Sequence, residues 1–277
     1  MKFGNFEIYP ILDGYFALDG GAMFGIIPKV LWQRTNPADE KNRITLALRT
    51  LLVKTPDCLI LIDTGIGDKF DEKFSDIYKV DKAGGLEKSL AELKINPRDI
   101  DIVINTHLHF DHAGGNTQYD EKREVLPKFP KAKYLIQEKE WQAANQPDCR
   151  SRASYLKENF LPLRDYGNLS LITGDYQVTE GVEVILTGGH TEGHQIVLIT
   201  TKEKKIVYWG DLIPTVSHLN IPYIMGYDLF PLVTMKKKEE FLARAKAERW
   251  LMVFEHDPKV AIGYFGKKGE LASYEKD

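Results

Sequence analysis

The chain has 277 residues, of which 43% are hydrophobic and 28% are charged, and its formal net charge is -3 at pH 7. These values are typical of a globular protein with a sizeable core, and the slight acidic excess argues against a nucleic-acid or anionic-membrane partner. In the sequence, no apolar run approaches the ~20 residues that span a bilayer, so we expect no membrane insertion.

The first half of the chain predicts strands, a helix and a further strand. Apolar runs punctuated by glycine and proline predict strands in FEIYPILDG, ITLALRTLLVKT and CLILIDTG. Leu86, Leu90 and Leu93 recur at helical spacing, and Asn96-Pro97 ends that helix. DIDIVINT then predicts a short buried strand. Residues 19–43 predict a glycine-rich loop segment between the early strands.

The second half predicts helices, then strands, then one more helix and strand. Residues 118–168 predict a mainly helical insertion, although KAKYLIQ within it has the pattern of a strand. Strands return in VEVILTGG, HQIVLITT and KKIVYWGD, the amphipathic KKKEEFLARAKAERW predicts a helix, and WLMVFEHD predicts the last strand. Because no linker or repeat divides the chain, we expect one α/β domain over residues 1–277, with sheets sandwiched between helices.

The segment THLHFDHAGG, residues 106–115, places His107, His109, Asp111 and His112 directly after an apolar strand. A polar turn whose histidines cap the strand is the simplest alternative, but it explains neither the spacing nor the glycines that follow. Imidazole and carboxylate are the ligands that zinc and similar metals take when no thiolate is present. The pattern therefore favours half of a metal site.

The remaining ligands of such a site are expected at other strand ends. GGHTEGHQ, YWGDLIPT and FEHDP place His190, Asp211 and His256 where an apolar strand gives way to a turn. Each of these residues alone is more often a core or turn residue, but together they predict one cleft. We predict two divalent ions, the first held by His107, His109 and His190, the second by Asp111, His112 and His256, with Asp211 shared by both.

The set THLHFDHAGG, GGHTEGHQ, YWGD and FEHD resembles the metallo-β-lactamase superfamily of metallohydrolases, and the resemblance covers nearly the whole chain. It implies an αββα sandwich with a dinuclear metal site at one edge of the sheets and the same ligand assignment. Zinc is the expected metal, with iron, cobalt or manganese as alternatives. In LIDTG, Asp63 corresponds to a residue that supports the site from behind, although a plain turn-forming aspartate is equally consistent.

Two segments outside the ligands look like the quorum-quenching lactonase branch of that superfamily: DGGAMFGIIPKVLWQRTNPADEKNRI and GDLIPTVSHLNIPYIMGYDLFP. Their apolar and aromatic side chains predict a pocket wall for an acyl tail, with ordinary core packing as the alternative for each. The predicted pocket residues are Met23, Phe24, Ile26, Trp32, Tyr223 and Tyr227. The resemblance implies opening of a lactone ring, of the N-acyl-homoserine lactone class, by a metal-bridging hydroxide.

Catalytic roles are predicted for Asp211, Asp111 and His218. Asp211 would bridge the ions, and Asp111 would also carry a proton to the leaving alkoxide. Many homoserine lactonases of this fold have a tyrosine three residues after the bridging aspartate, where this chain has Pro214. Either the metal ions alone polarise the carbonyl, or His218, Tyr223 or Tyr227 substitutes for the tyrosine. Of these residues we expect His218 first, because a neutral imidazole can donate a hydrogen bond near pH 7.

Other functions compete with the lactonase hypothesis. The same ligands allow a phosphotriesterase, an aryl esterase or a thiolester hydrolase. A thiolester hydrolase would normally have a basic C-terminal region, and YFGKKGELASYEKD is a weak candidate for it. A complete ligand set argues against a non-catalytic module, and the absence of an appended flavin domain or a basic groove argues against an iron redox protein or a nuclease. We expect a small-molecule substrate with an acyl tail, and branch relatives imply a homodimer.

Two further predictions concern the cellular location of the protein and the role of His194. Cys58 and Cys149 fit no disulfide framework, and MKFGNFEIYP lacks the apolar core of a signal peptide, so a cytoplasmic protein is expected. His194, in the same loop as His190, is expected to anchor that loop by hydrogen bonds.

Overall fold

Two seven-stranded sheets pack face to face, and helices cover the outer face of each. The structure is a computed structural model that describes residues 1–82, 84–266 and 269–274. The αββα sandwich expected from the sequence is confirmed. Residues 267–268 and 275–277 of the segment considered as a basic region lie outside the described residues.

The first sheet takes its strands from the first two thirds of the chain, which also forms a small hairpin. The strands in chain order are β1 (Lys2–Phe3), β2 (Phe6–Asp19), β3 (Arg43–Lys54), β4 (Leu59–Ile62), β5 (Ile102–Ile104), β6 (Thr117–Tyr119), β7 (Val125–Pro127), β8 (Lys133–Gln137) and β9 (Leu169–Ile172). The sheet order is β1-β2-β3-β4-β5-β8-β9, and β6 pairs with β7 alone. Strands β4, β5, β8 and β9 run parallel, so their carboxyl ends meet at one edge.

The second sheet follows the chain order of its strands. They are β10 (Tyr176–Thr179), β11 (Val182–Leu186), β12 (Gln195–Thr200), β13 (Lys205–Tyr208), β14 (Leu251–Val253), β15 (Ile262–Phe265) and β16 (Leu271–Ser273). All neighbours are antiparallel except β13 and β14, which run parallel.

Helices occupy the connections between strands. They are α1 (Gly20–Phe24), α2 (Lys29–Trp32), α3 (Glu72–Tyr78), α4 (Gly85–Glu92), α5 (Phe110–Ala113), α6 (Glu138–Asn145), α7 (Leu161–Asp165) and α8 (Pro231–Ala247). Short 3-10 turns lie at Pro97–Asp99, Gly114–Asn116, Lys157–Asn159, Gly210–Leu212 and Val216–Leu219. None of the described helices is both long and apolar enough to cross a membrane.

Continuous apolar strands explain the layers. Side chains alternate between the two faces of a strand, so a strand with both faces buried is apolar at every position. In β3, Leu51 and Val53 enter the core between the sheets, while Leu52 packs against the helices α4, α6 and α7. In β12, Val197 points between the sheets and Leu198 packs toward α8.

Two segments differ from their expected form. Residues 19–43 contain α1 and α2, because the Asp19 carboxylate caps α1 by accepting from the Ala22 N–H and Trp32 stacks on Phe24. Residues 118–168 contain β8, which lies between β5 and β9 in the first sheet. That strand belongs to the sheet, and the helical part of the segment is α6, α7 and the turn between them.

Candidate metal centre

The histidine-rich segment leaves β5 and forms the short helix α5 at the carboxyl edge of the parallel strands. His109 is the N-cap of this helix, and Asp111 and His112 lie in its single turn. Gly114 follows because a Cβ there would lie 2.0 Å from the carbonyl oxygen of Ile66. A polar turn would not require glycine at position 114. The chain segment after β4 does require it, because Ile66 passes too close for a side chain.

A first group of buried ligand atoms comprises His107, His109, His190 and Asp211, all within 4.8 Å of one another. Nε2 of His190 lies 3.1 Å from Nδ1 of His109 and 3.1 Å from Oδ2 of Asp211. These side chains come from the turns after β5, β11 and β13. The structure thus brings together the residues that the sequence assigned to the first ion, with Asp211 among them.

A second group contains Asp111, His112 and His256. The Nε2 atoms of His112 and His256 are 3.2 Å apart, and each lies 3.6 Å from Oδ2 of Asp111. Oδ1 of Asp211 lies 3.2 Å from Nε2 of His256, whereas its Oδ2 faces His190. The Asp211 carboxylate therefore reaches both groups, as a bridging ligand would.

Unpaired atoms in this cluster fit divalent metal ions. Nε2 of His107 and Oδ1 of Asp211 are buried and have no well-directed hydrogen bond to a described residue. A buried polar group without a partner is costly, and buried groups that lack one often bind a metal. Imidazole nitrogens and carboxylate oxygens are suitable donors for zinc and its neighbours in the first transition row.

The protonation of two histidines and of Asp211 suits that role. Burial holds the pKa of His107 and of His109 well below the usual range, so both rings are neutral and keep a lone pair for a metal. Burial would raise the pKa of Asp211, but the neighbouring His190 and His112 outweigh it and hold that pKa well below its usual value. Asp211 is therefore an ionised carboxylate between the two groups.

Several buried groups orient the ligand rings from behind. Asp63 adopts a left-handed backbone with φ 54°, accepts from the Thr106 N–H at 2.8 Å, and lies 3.2 Å from Nδ1 of His112. Nδ1 of His190 pairs with Oδ1 of Asp228 at 3.0 Å, and Nδ1 of His256 donates to the Ala47 carbonyl at 2.8 Å. These contacts direct each Nε2 toward the cluster, and Asp63 has the supporting position that the sequence left open.

Three acidic residues near the ligands were missed by the sequence analysis: Glu140, Asp228 and Glu255. Glu140, which is buried in α6, accepts from the Leu108 N–H and the Thr191 hydroxyl, and so connects the two histidine loops. Only Glu255 has a sequence signal, since it is an acidic residue inside an apolar strand end directly before His256. Glu140 and Asp228 have no such signal, because the residues that they contact, Leu108 and His190, are 32 and 38 positions away in the chain.

His194 anchors its loop as expected. The backbone N–H of Asp211 donates to His194 Nε2 at 3.1 Å, and Nδ1 pairs with the Thr187 hydroxyl at 2.7 Å. Both ring nitrogens are engaged, and the ring fixes the turn that carries Asp211.

A cavity opens directly onto the ligand cluster. Its floor is formed by His109, Asp111, His190, Asp211 and His256. Its walls are largely apolar and aromatic: Leu18, Met23, Tyr78, Phe110, Ser154, Met225 and Tyr227. A concave, mostly apolar site with a few convergent polar groups is typical of small-molecule binding.

Of the predicted pocket residues, Met23 and Tyr227 line this cavity. Phe24 and Trp32 are fully buried and stack on each other at 5.4 Å behind the wall, with the edge of Tyr223 against Phe24. Ile26 is 86% exposed. For Phe24, Trp32 and Tyr223 the core-packing alternative fits better, because they pack in one apolar cluster and none of them lines the cavity.

The structure places His218 away from the cavity lining, contrary to the expected catalytic donor. Nε2 lies 2.8 Å from the carbonyl oxygen of Met23, which can only accept, so Nε2 carries the proton. Nδ1 then accepts from the Thr215 hydroxyl at 2.7 Å, and the ring stacks on Phe24 at 4.7 Å. With its single N–H already used, His218 supports the pocket wall instead of donating to a substrate.

Comparison with known families decides the assignment. The sequence profile of the metallo-beta-lactamase superfamily matches residues 49–256, a span that includes all seven predicted ligands. The chain belongs to the metallo-β-lactamase superfamily. A dinuclear centre of divalent ions fits both this superfamily and the two buried groups of ligands that share Asp211.

Individual superfamily members are similar to this chain. An N-acyl homoserine lactonase from Bacillus cereus is 32% identical over 176 residues, which are 60% of this chain and 63% of that relative. A solved structure of a probable metal-dependent hydrolase from Staphylococcus aureus is 32% identical, has a TM-score of 0.92, and the match covers 99% of this chain and 98% of that one.

A second solved superfamily structure carries a ligand. An N-acyl homoserine lactone hydrolase, with the product N-hexanoyl-L-homoserine bound at its catalytic metal centre, is 25% identical to this chain. Its TM-score is 0.71, and the match covers 91% of this chain and 93% of that one.

Proposed function

We propose that this protein is a metal-dependent hydrolase that opens the ring of a lactone, of the N-acyl-homoserine lactone class. The observation that carries the proposal is the cavity, which has the ligand cluster as its floor and Met23, Phe110 and Met225 among its walls. This arrangement suits a substrate with a polar ring and an apolar tail. The similarity to lactonases, one with its acyl-homoserine product at the metal centre, supports the same substrate class.

The apolar walls would bind the acyl tail and exclude water from it. Met23 and Met225 are 1% and 4% exposed, and Phe110 is held by edge contact with Phe74. Methionine side chains adapt to irregular ligands, and each methylene group that leaves water contributes about 0.8 kcal/mol. Tail binding therefore orients the lactone carbonyl toward Asp211 and the histidines.

Hydrolysis forms a bond between the oxygen of water and the carbonyl carbon, and breaks the ring C–O bond. The ions, when bound, supply an activated water and polarise the carbonyl oxygen. His107, His109 and His190 would hold the first ion, Asp111, His112 and His256 would hold the second, and Asp211 would bind both. The proton released from water passes through the Asp111 carboxylate, which lies at the cavity floor, to the leaving alkoxide.

Tyr227 takes the donor role that His218 lacks. It lines the cavity together with Asp211, and burial raises the pKa of its phenol above the ordinary value. The phenol therefore stays protonated throughout the working pH range and offers an O–H to the substrate carbonyl or ring oxygen. Pro214, at the position of the family tyrosine, leaves this task open for a residue of the following segment.

Zinc is the metal we propose, since five histidines and two carboxylates without a thiolate suit it. Iron, cobalt and manganese bind similar ligands. Elemental analysis of protein purified without added metal would identify the ion, and a content near two zinc ions per chain is expected.

The substrate proposal is tested by measuring proton release with a panel of substrates. The zinc-loaded protein would be given short-chain and long-chain N-acyl-homoserine lactones, simple γ- and δ-lactones, an organophosphate triester, an aryl ester, a thiolester and a β-lactam. We expect the homoserine lactones to have the highest kcat/KM. The His109→Ala variant, which removes one ligand from the first group, should be inactive toward every substrate.

Other results of the panel would revise the proposal in defined ways. If the triester, aryl ester or thiolester has the highest kcat/KM, the metal centre stands and the lactone assignment is wrong. Activity that survives in His109→Ala would contradict the assignment of the first group of ligands.

We also propose a cytoplasmic location and a homodimer. Cys58 and Cys149 are both free, which fits a reducing compartment. Fractionation of the source cells would test the location, and light scattering coupled to size-exclusion chromatography would test the dimer.

A further inference from the structure

The two groups of ligands are supported differently from behind. In the first group, Nδ1 of His190 faces one carboxylate, that of Asp228, and Nδ1 of His107 pairs with the Thr106 hydroxyl at 3.1 Å. In the second group, Nδ1 of His112 faces two carboxylates: Oδ2 of Asp63 at 3.2 Å and Oε2 of Glu255 at 3.1 Å. His112 is therefore the ligand with the most negative charge behind it among those described.

Asp63 is fully satisfied by other partners. Its Oδ1 accepts from the Thr106 N–H at 2.8 Å, and its Oδ2 accepts from the Thr106 hydroxyl at 2.7 Å in addition to the contact with His112. These bonds fix the Asp63 carboxylate whether or not His112 is present, so Asp63 sets the position of the imidazole ring.

Glu255 has no such framework. It is 0% exposed, and neither carboxylate oxygen has a well-directed hydrogen bond to a described residue. The buried Arg49 guanidinium lies nearby but donates to the backbone carbonyls of Phe254, Glu255 and Asp257. A buried carboxylate that lacks hydrogen bonds is destabilising for the fold, so its presence needs a compensating partner.

We propose that Glu255 is a positioning residue for the second metal ion: its charge, placed behind His112, strengthens the binding of a divalent cation by His112, Asp111 and His256. Nε2 of His112 faces that group while Nδ1 faces Glu255, so the imidazole ring separates the carboxylate from the cation. Opposite charges attract strongly across a buried, low-dielectric region, and groups behind a ligand raise its basicity. The pairing also compensates the buried charge of Glu255.

The turn after β14 thus supplies two adjacent residues to one ion. His256 contributes its Nε2 directly, and Glu255 acts through His112. This proposal depends on the dinuclear centre but not on which substrate is hydrolysed, so its test reads metal binding instead of activity.

The test is a titration of metal-free protein with Co²⁺ against a competing chromophoric chelator, which resolves two binding constants. Glu255→Gln keeps the shape of the side chain and removes its charge, and we expect it to weaken one binding step by about 10- to 100-fold. Asp228→Asn, the matched control behind His190, should weaken the other step. In a His256→Ala background, Glu255→Gln should have little further effect, whereas Asp228→Asn should retain its full effect.

Stability of the metal-free protein distinguishes this role from a structural one. Glu255→Leu replaces a buried carboxylate that lacks a well-directed hydrogen bond with an apolar group of similar size, so its melting temperature without metal should equal or exceed that of the unsubstituted protein. The rise in melting temperature on adding Co²⁺ should be smaller in this variant. Two unchanged binding constants in Glu255→Gln, or a less stable metal-free Glu255→Leu with unchanged metal affinity, would overturn the proposal.

Discussion

Tyr227 is the residue whose hydroxyl group we expect to matter most after the ligands. Tyr227→Phe removes one O–H from the cavity and leaves the ring in the wall. Loss of one donor to a developing oxyanion lowers kcat by about 10²-fold in other enzymes, and we expect a fall of that order with little change in KM. Steady-state kinetics on the best lactone would show it. An unchanged kcat in Tyr227→Phe would contradict the donor role.

His218 gives a prediction for stability and pH. Burial lowers its pKa to about 4 from the unfolded value of 6.5. Between these values the unfolded chain binds more protons than the folded one, so the free energy of unfolding falls as the pH falls from 6.5 toward 4. From pH 7 to pH 5 this histidine alone should account for about 2 kcal/mol of that loss.

The control for this prediction is His218→Gln, which keeps an N–H for the Met23 carbonyl but does not titrate. Urea unfolding of chelator-treated protein at pH 7 and pH 5 gives the loss for each protein, and the titration of all other groups is common to both. The unsubstituted protein should lose about 2 kcal/mol more than the variant. Equal losses would show that His218 keeps an ordinary pKa in the fold.

At the scale of elements, α8 holds the cavity wall through one buried lysine. Nζ of Lys238 donates to the carbonyls of Asn220, Ile221 and Tyr223 at 2.8, 3.2 and 2.7 Å. The segment that follows carries Met225 and Tyr227 to the cavity. The Nζ group of Lys238, which donates to three carbonyls, therefore connects the position of this helix to the shape of the binding site.

We expect Lys238→Met to lower the free energy of unfolding by about 2 kcal/mol, because the carbonyls of Asn220, Ile221 and Tyr223 lose the donor that they share. KM should rise more than kcat falls, since the wall is displaced while the metal ligands are retained. Lys236→Met, an exposed neighbour on the same helix, is the matched control and should leave both properties unchanged. Denaturant unfolding and steady-state kinetics of the two variants would settle the comparison.

Local motifs could be predicted from the sequence, whereas contacts between distant parts of the chain could not. His107, His109, Asp111 and His112 were found because ligands close together in sequence make a local motif. The order of apolar runs predicted one α/β domain with sheets between helices, and the αββα arrangement was implied by the resemblance to the superfamily. Asp228 was missed because its partner His190 is 38 residues away and no local pattern relates them. Strand β8 was assigned to an insertion because its place between β5 and β9 depends on pairing with distant strands.

At the scale of the whole molecule, the metal centre joins the two sheets. His107, His109, Asp111 and His112 follow β5 of the first sheet, while His190, Asp211 and His256 follow β11, β13 and β14 of the second. Two bound ions therefore connect sheets that otherwise contact each other through the apolar core between them. Metal ions that bind only the folded chain stabilise it by mass action.

Removal of the metal should consequently lower the melting temperature of the entire domain. An ion present at about a thousand times its dissociation constant contributes about 4 kcal/mol, and in a domain of this size that amounts to a shift of roughly 10 °C. Calorimetry before and after dialysis against a chelator would measure the shift, and added zinc should reverse it. His109→Ala should show a smaller shift, because one ligand of the first group is missing. Identical melting temperatures with and without metal would contradict the idea that the ions join the sheets.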